Sequence, residues 1–256
     1  MKKMADAIAD LIGSPRPVLC LDTCVFLDVI RTVSRGRSEL LPAVKKLLEF
    51  LAVTPDRVQV LITSLVALEW KQNVVTVKAE TAKWLTETDG RVTEIYRAWD
   101  RIGKPLPGQS PIYNKPALLE ELAELAKSLI DNAMVLKEDD ACVSRALGRV
   151  KSKRRPSHTK EVKDSIHFEH YLDLSRQLHA AGYGEPRMFV STNSTDFWTD
   201  KSTSSPHPEL VPDLIAAHLT FFGGLPVALR QLGILPAAAV APAVAPVAPV
   251  LTAGAV

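Results

Sequence analysis

Cysteine, net charge and long uninterrupted apolar runs are all scarce in this 256-residue chain. The three cysteines, Cys20, Cys24 and Cys142, are odd in number and show no metal-ligand pairing. They argue against a disulfide-stapled fold and predict free thiols in a reducing cytosol. A formal net charge of only +2 excludes a polycation, so any nucleic-acid contact must come from a local basic patch. The opening residues, Met1 to Ile12, hold charges and too little apolar sequence to export the chain or cross a bilayer. They read as a short amphipathic helix, and a cytoplasmic protein with no membrane partner is expected. From Pro236 onward the sequence is almost only Ala, Pro and Val. Repeated Pro stops helix and sheet alike, so this tail reads as extended and mobile.

What is present is an ordinary globular composition, 46% hydrophobic and 23% charged. The stretch Val18-Leu19-Cys20-Leu21-Asp22-Thr23-Cys24 is the pivot. An apolar run ends in an acid, a hydroxyl residue follows, and an amphipathic segment begins. This predicts a buried parallel strand that delivers Asp22 to a helix start. Ligands of open α/β sheets lie beyond the carboxyl ends of the strands, so Asp22 stands where a reactive carboxylate would be placed. An Asp at a helix start is also a common N-cap, and both readings stay open at this point.

Further apolar runs at Val58–Ile62, Met188–Thr192 and Leu219–Phe222 predict three more strands. Helical spacing covers Glu39–Val53, Leu118–Met134, Asp139–Val150 and Asp164–Leu178. The block from Lys71 to Ile102 is long, helical and mixed in charge. Prolines 105, 107, 111 and 116, with Gly108, then mark a loop. No strand signal appears in this middle block. The expected organisation is a helical extension over 1–14, an α/β domain over 15–235 with a helical insertion at about 71–160, and a tail over 236–256.

Four acids occupy comparable places. Asp22 follows the first strand, Glu69 lies in the helix after the second, Asp164 opens the helix before the Met188 strand, and Asp196 lies in the loop after it. If those strands are parallel neighbours, their carboxyl ends bring Asp22, Glu69 and Asp196 to one edge. A crossover helix starts at that edge, which adds Asp164. Clustered carboxylates repel unless a counter-charge intervenes. All-oxygen ligation favours Mg²⁺ or Mn²⁺ over zinc. Such an ion generates hydroxide from bound water and stabilises charge on a phosphodiester.

These residues carry a resemblance. Leu21-Asp22-Thr23-Cys24-Val25-Phe26-Leu27-Asp28 resembles the Leu-Asp-Thr-Asn-Val-Leu opening of PIN-like domains. Ser64 to Trp70 resembles the helix bearing that family's glutamate, and Lys163 to Phe168 the segment bearing its third acid. Phe189-Val190-Ser191-Thr192-Asn193-Ser194-Thr195-Asp196-Phe197 is similar to the closing Thr-Asn-x-x-Asp-Phe signature. The resemblance implies a three-layer α/β/α fold with a central, mainly parallel sheet and a helical insertion. It implies a metal-dependent endoribonuclease in which Asp22, Glu69, Asp164 and Asp196 hold Mg²⁺ or Mn²⁺. Thr192 and Asn193 would orient the last acid or touch phosphate, and Thr23 would bond a carboxylate. The family includes toxins of toxin–antitoxin pairs, so an antitoxin protein is one implied partner beside RNA. A homodimer is left open. Position 24 departs from the pattern: Cys stands where Asn or Ser is usual, which puts that residue's hydrogen bond in question.

Basic residues supply the expected RNA contacts. Arg149, Lys151, Lys153, Arg154 and Arg155 form a Pro-containing basic loop, with Arg35 and Arg37 expected at the same edge. Asp28 and Glu161 read as surface acids. His158, His167 and His170 lack a third nitrogen or sulfur ligand and read as surface or packing residues. The four tryptophans read as core anchors, with Trp198 the one stacking candidate. A haloacid-dehalogenase-type phosphatase needs a second Asp where Cys24 stands. A non-catalytic scaffold and a DNA nuclease are the alternatives to an RNA nuclease.

Overall fold

The first strand, β1 (Val18–Leu21), lies at the centre of a five-stranded, wholly parallel sheet. The computed structural model describes residues 1–104, 114–157, 162–200 and 204–237. The proline-rich loop at 105–113, His158, Glu161 and the tail beyond 237 fall outside the described residues. On one side of β1 come β2 (Gln59–Thr63) and β3 (Met134–Leu136). On the other come β4 (Arg187–Val190) and β5 (Thr220–Phe222). The order β3-β2-β1-β4-β5 means that the chain winds outward from β1 in one direction, then returns to wind in the other. The reversal falls between β1 and β4. In open α/β sheets the ligand crevice lies there, beyond the carboxyl ends.

Strand residues alternate between two cores. Leu19, Leu21, Val60, Ile62, Met188 and Val190 belong to one apolar cluster; Val18, Cys20, Leu61 and Phe189 belong to the other. Helices cover both faces, which gives the three-layer architecture the sequence predicts. The first layer holds α2 (Thr23–Ile30), α4 (Leu40–Val53), α5 (Ser64–Arg101), α6 (Lys115–Asp131) and α10 (Leu225–Gln231), with the single turn α3 (Thr32–Arg35) after α2. The second holds α1 (Met4–Gly13), α7 (Asp140–Lys151), α8 (Lys163–Ala180) and α9 (Val211–Ala216). The N-terminal helix is built into this layer: Met4, Ala7 and Leu11 are buried in its core.

One expectation needs correction. The middle block is not wholly helical, because Met134-Val135-Leu136 leaves α6 and pairs with β2 as an edge strand. Three residues are too few to show a period, so no alternation marks them. The central sheet is parallel as expected, and all four strand pairings are parallel.

The last strand-helix connections aim the edge. Just past the end of α8, Gly182 (φ 79°) takes the left-handed backbone that turns the chain back toward β4. From mid-helix, Tyr171 donates its hydroxyl to the Leu21 carbonyl at 2.7 Å, fixing α8 against the end of β1. Phe26 of α2 is wholly buried in the first core; truncating such a side chain to Ala costs about 3–5 kcal/mol.

Candidate active site

Asp22 occupies the N-cap position of α2, but its carboxylate makes no capping bond. It accepts instead from the Ser191 hydroxyl at 2.6 Å and from the Cys24 thiol at 3.0 Å. The side chain thus points across the crevice between β1 and β4, at 2% exposure. Cys24 takes over the bond that its departure from the family pattern put in question. Its sulfur also accepts the Thr192 backbone N–H at 3.1 Å. Burial, and after it the Asp22 charge, push the thiol pKa well up, so the sulfur keeps the proton it donates.

Glu69 lies in the second turn of α5, whose N-cap Thr63 accepts the Val66 N–H at 3.4 Å. Its Oε2 accepts the Thr23 hydroxyl at 2.5 Å and lies 3.1 Å from His167 Nε2. Its Oε1 lies 3.4 Å from Lys163 Nζ. Burial opposes the charged form, but His167, Thr23 and Lys163 together outweigh it and hold the Glu69 pKa below the usual carboxylate value. His167 is therefore not a surface residue: it is fully buried, and its Nδ1 meets Thr63 Oγ1 at 2.7 Å. Its neighbour His170 is buried as well. It donates from Nδ1 to the Ile166 carbonyl at 2.7 Å and accepts the Asp139 N–H at Nε2.

One amide joins the other two acids. Asn193 Nδ2 donates to Asp164 Oδ2 at 3.1 Å and to Asp196 Oδ2 at 3.0 Å. Asn193 Oδ1 accepts the Thr195 and Asp196 backbone N–H groups, so the loop after β4 folds around this side chain. The Ser191 hydroxyl accepts the Asn193 N–H at 3.1 Å while donating to Asp22. A short chain of bonds thus runs from Asp22 through Ser191 and Asn193 to Asp164 and Asp196. No local pattern in the sequence singles out Ser191 or His167. The available signal for His167 is its i+3 spacing from Asp164 on α8.

Thr192 turns away from the acids and donates to Asp28 Oδ2 at 2.7 Å. Asp28 is wholly buried, not a surface acid, and pairs with Arg35 at 2.6 Å and with Arg37. The basic segment also differs from a solvated loop. Arg149 still belongs to α7 and is 5% exposed; it pairs with Glu169, reaches Asp213 at 2.6 Å and stacks on Phe168. Its role is structural, because a buried guanidinium with two carboxylate partners has no face left for RNA. Arg154 reaches Asp213 at 3.3 Å, while Lys151 and Lys153 are exposed. Arg155 donates to the carbonyl oxygens of Thr195 and Asp196 and braces the acid-bearing loop. Trp70 and Trp198 are buried, the latter donating to the Ser191 carbonyl at 3.1 Å; Trp84 and Trp99 are exposed on α5 rather than core anchors.

A family model described as PIN domain matches residues 19–197. The chain belongs to the PIN-domain family. The match runs through the middle block and takes in all four acids. PIN domains are generally nucleases and typically use divalent metals. No curated protein matches this PIN domain, and no solved structure does. Among the described residues no helix is long and apolar enough to cross a membrane.

The donor set suits a hard divalent cation, being carboxylate oxygen throughout. The side-chain placement is set by the protein's own donors. Among the described residues no three His, Cys, Asp or Glu side chains stand together as ligands do. The Asn193 amide bridges Asp164 and Asp196, while Ser191 and Cys24 donate to Asp22 and Thr23 and Lys163 meet Glu69, so each carboxylate has donors of its own that favour the charged form.

Proposed function

We infer that this PIN domain is a metal-dependent endoribonuclease. The observation that supports it is the chain of hydrogen bonds from Asp22 through Ser191 and Asn193 to Asp164 and Asp196, at the strand-order reversal. Asp22, Glu69, Asp164 and Asp196 would hold Mg²⁺ or Mn²⁺. Bound there, such an ion would supply a water of lowered pKa and stabilise charge on the phosphodiester.

The chain's own residues do the positioning. Ser191 and Cys24 hold Asp22, Thr23 and His167 hold Glu69, and Asn193 spaces Asp164 from Asp196. Arg155 stiffens the loop that presents Asp196. Exposed Lys151, Lys153 and Arg154 meet RNA phosphates beside the edge, which makes binding salt-dependent.

The test is incubation of the purified protein with single-stranded RNA, with Mn²⁺ or with EDTA, beside single-stranded DNA of the same sequence. Internal RNA cleavage that needs Mn²⁺ and is lost in Asp22→Asn supports the reading. Intact RNA under every divalent ion contradicts it, and preferential DNA cleavage replaces RNA as the substrate.

A further inference from the structure

Beside the acids opens a cavity of about 850 Å³, lined in part by Arg35, Gly36, Arg37, Thr192, Ser194 and Trp198. None of the four acids lines it. Its wall is shared with them through one loop. Ser191 and Asn193 bond toward the acids, and the intervening Thr192 and the following Ser194 line the cavity.

Asp28 ties this loop to the two arginines of the cavity wall. Its carboxylate is 0% exposed and takes Arg35 Nη1 on Oδ1, with Arg37 Nη1 and Thr192 Oγ1 on Oδ2. Gly36 stands between the arginines at φ 63°, a left-handed conformation that lets residues on both sides of it reach one carboxylate. Two guanidiniums face the Asp28 carboxylate, and Glu39, the acid that lines the cavity, is paired with Arg230 at 2.7 Å, so the cluster keeps a net positive charge. A guanidinium has five N–H donors in a planar fork. The Arg35 and Arg37 side chains are 43% and 32% exposed, so part of each fork stays open to the cavity.

We propose that this cavity is a subsite for the phosphate backbone of single-stranded RNA. Asp28 fixes the two arginines, and the strand passes over the Thr192–Ser194 loop onto the acid edge. The choice of RNA rests on the nuclease reading; the subsite itself is measured without cleavage.

The experiment is fluorescence-anisotropy titration of a short unstructured RNA in EDTA, repeated at rising KCl. The variant is Asp28→Asn with Arg35→Gln and Arg37→Gln, which avoids leaving a buried carboxylate unpaired. Binding at low salt weakens about tenfold, and the slope of log affinity against log salt shrinks by about 1.4, since each single-strand phosphate contact contributes about 0.7. Lys83→Gln with Lys127→Gln, two exposed lysines outside the cavity, leaves the slope unchanged. On the unaltered protein, RNA protects Arg35 and Arg37 from phenylglyoxal, read by mass spectrometry, so the assignment stands even where the variant fails to fold. An unchanged slope in a folded variant, or unprotected arginines under saturating RNA, overturns it. Mn²⁺-dependent cleavage with an unchanged slope removes the subsite and keeps the nuclease; a reduced slope with no cleavage does the reverse.

Discussion

Ser191 donates its hydroxyl proton to Asp22 Oδ2 across 2.6 Å and so joins the ends of β1 and β4. The Ser191 hydroxyl oxygen also accepts the Asn193 N–H, so one small side chain sets the distance between the first acid and the loop that carries the last. Among the described residues, Ser191→Ala leaves Asp22 with the weaker thiol donor alone and removes the acceptor of the Asn193 N–H. Cleavage is expected to fall about 10–100-fold, the usual effect of removing a residue that orients ligands. Stability is expected to fall by about 1–3 kcal/mol, read from urea unfolding. An unchanged cleavage rate removes Ser191 from the account.

Cys24 tests the departure at the opening motif. Cys24→Ser keeps a donor to Asp22 and an acceptor for the Thr192 N–H, and is expected to cleave at close to the starting rate. Cys24→Ala removes the sulfur without adding volume, leaves a buried N–H unsatisfied at a cost of about 1–3 kcal/mol, and frees Asp22 to turn. The comparison is the cleavage rate of the two variants at equal folded fraction. Equal rates mean that the thiol has no orienting role.

The strands that build the edge were legible because buried parallel strands are near-continuous apolar runs. β3 was not, being three residues at the sheet margin directly after a helix. The four acids were legible from their places after strands or at helix starts. Their supports were harder, because the partners are distant along the chain: His167 lies 98 positions from Glu69, and Ser191 lies 169 from Asp22. Asp28 reads as a surface acid locally, and only the returning Arg35, Arg37 and Thr192 make it a buried hub. Arg149 reads as part of a basic loop because its partners, Glu169 and Asp213, are 20 and 64 positions on.

Arg149 separates a structural cation from an RNA-binding one. Among the described residues, Arg149→Met leaves Glu169, itself 4% exposed, with Arg145 as its one cationic partner. Breaking a buried pair from one side costs about 3–5 kcal/mol. The expected result is a lowered unfolding midpoint with an unchanged salt slope for RNA binding by the folded protein. A reduced slope with normal stability would place Arg149 on the RNA instead.

His170 gives stability a pH dependence with a definite sign. Burial lowers its pKa from the usual 6.5, and the ring stays neutral between the Ile166 carbonyl and the Asp139 N–H. The unfolded chain takes up the proton near pH 6.5, the folded chain only at lower pH. Between those values the unfolded state binds more protons, so stability falls as pH falls. His170→Asn is expected to be less stable at neutral pH, yet to lose less on acidification. Urea unfolding above and below the usual histidine pKa measures both; an equal loss in variant and parent contradicts the assignment.

The proposal that Asp22, Glu69, Asp164 and Asp196 hold divalent metal is tested most directly by Mn²⁺ binding, followed by electron paramagnetic resonance of the free ion. The protein is expected to bind Mn²⁺, and Asp22→Asn or Asp196→Asn to weaken binding by about tenfold or more while keeping the circular dichroism of the fold. Mn²⁺ binding that is absent, or that is equal in the parent and both variants, would contradict it.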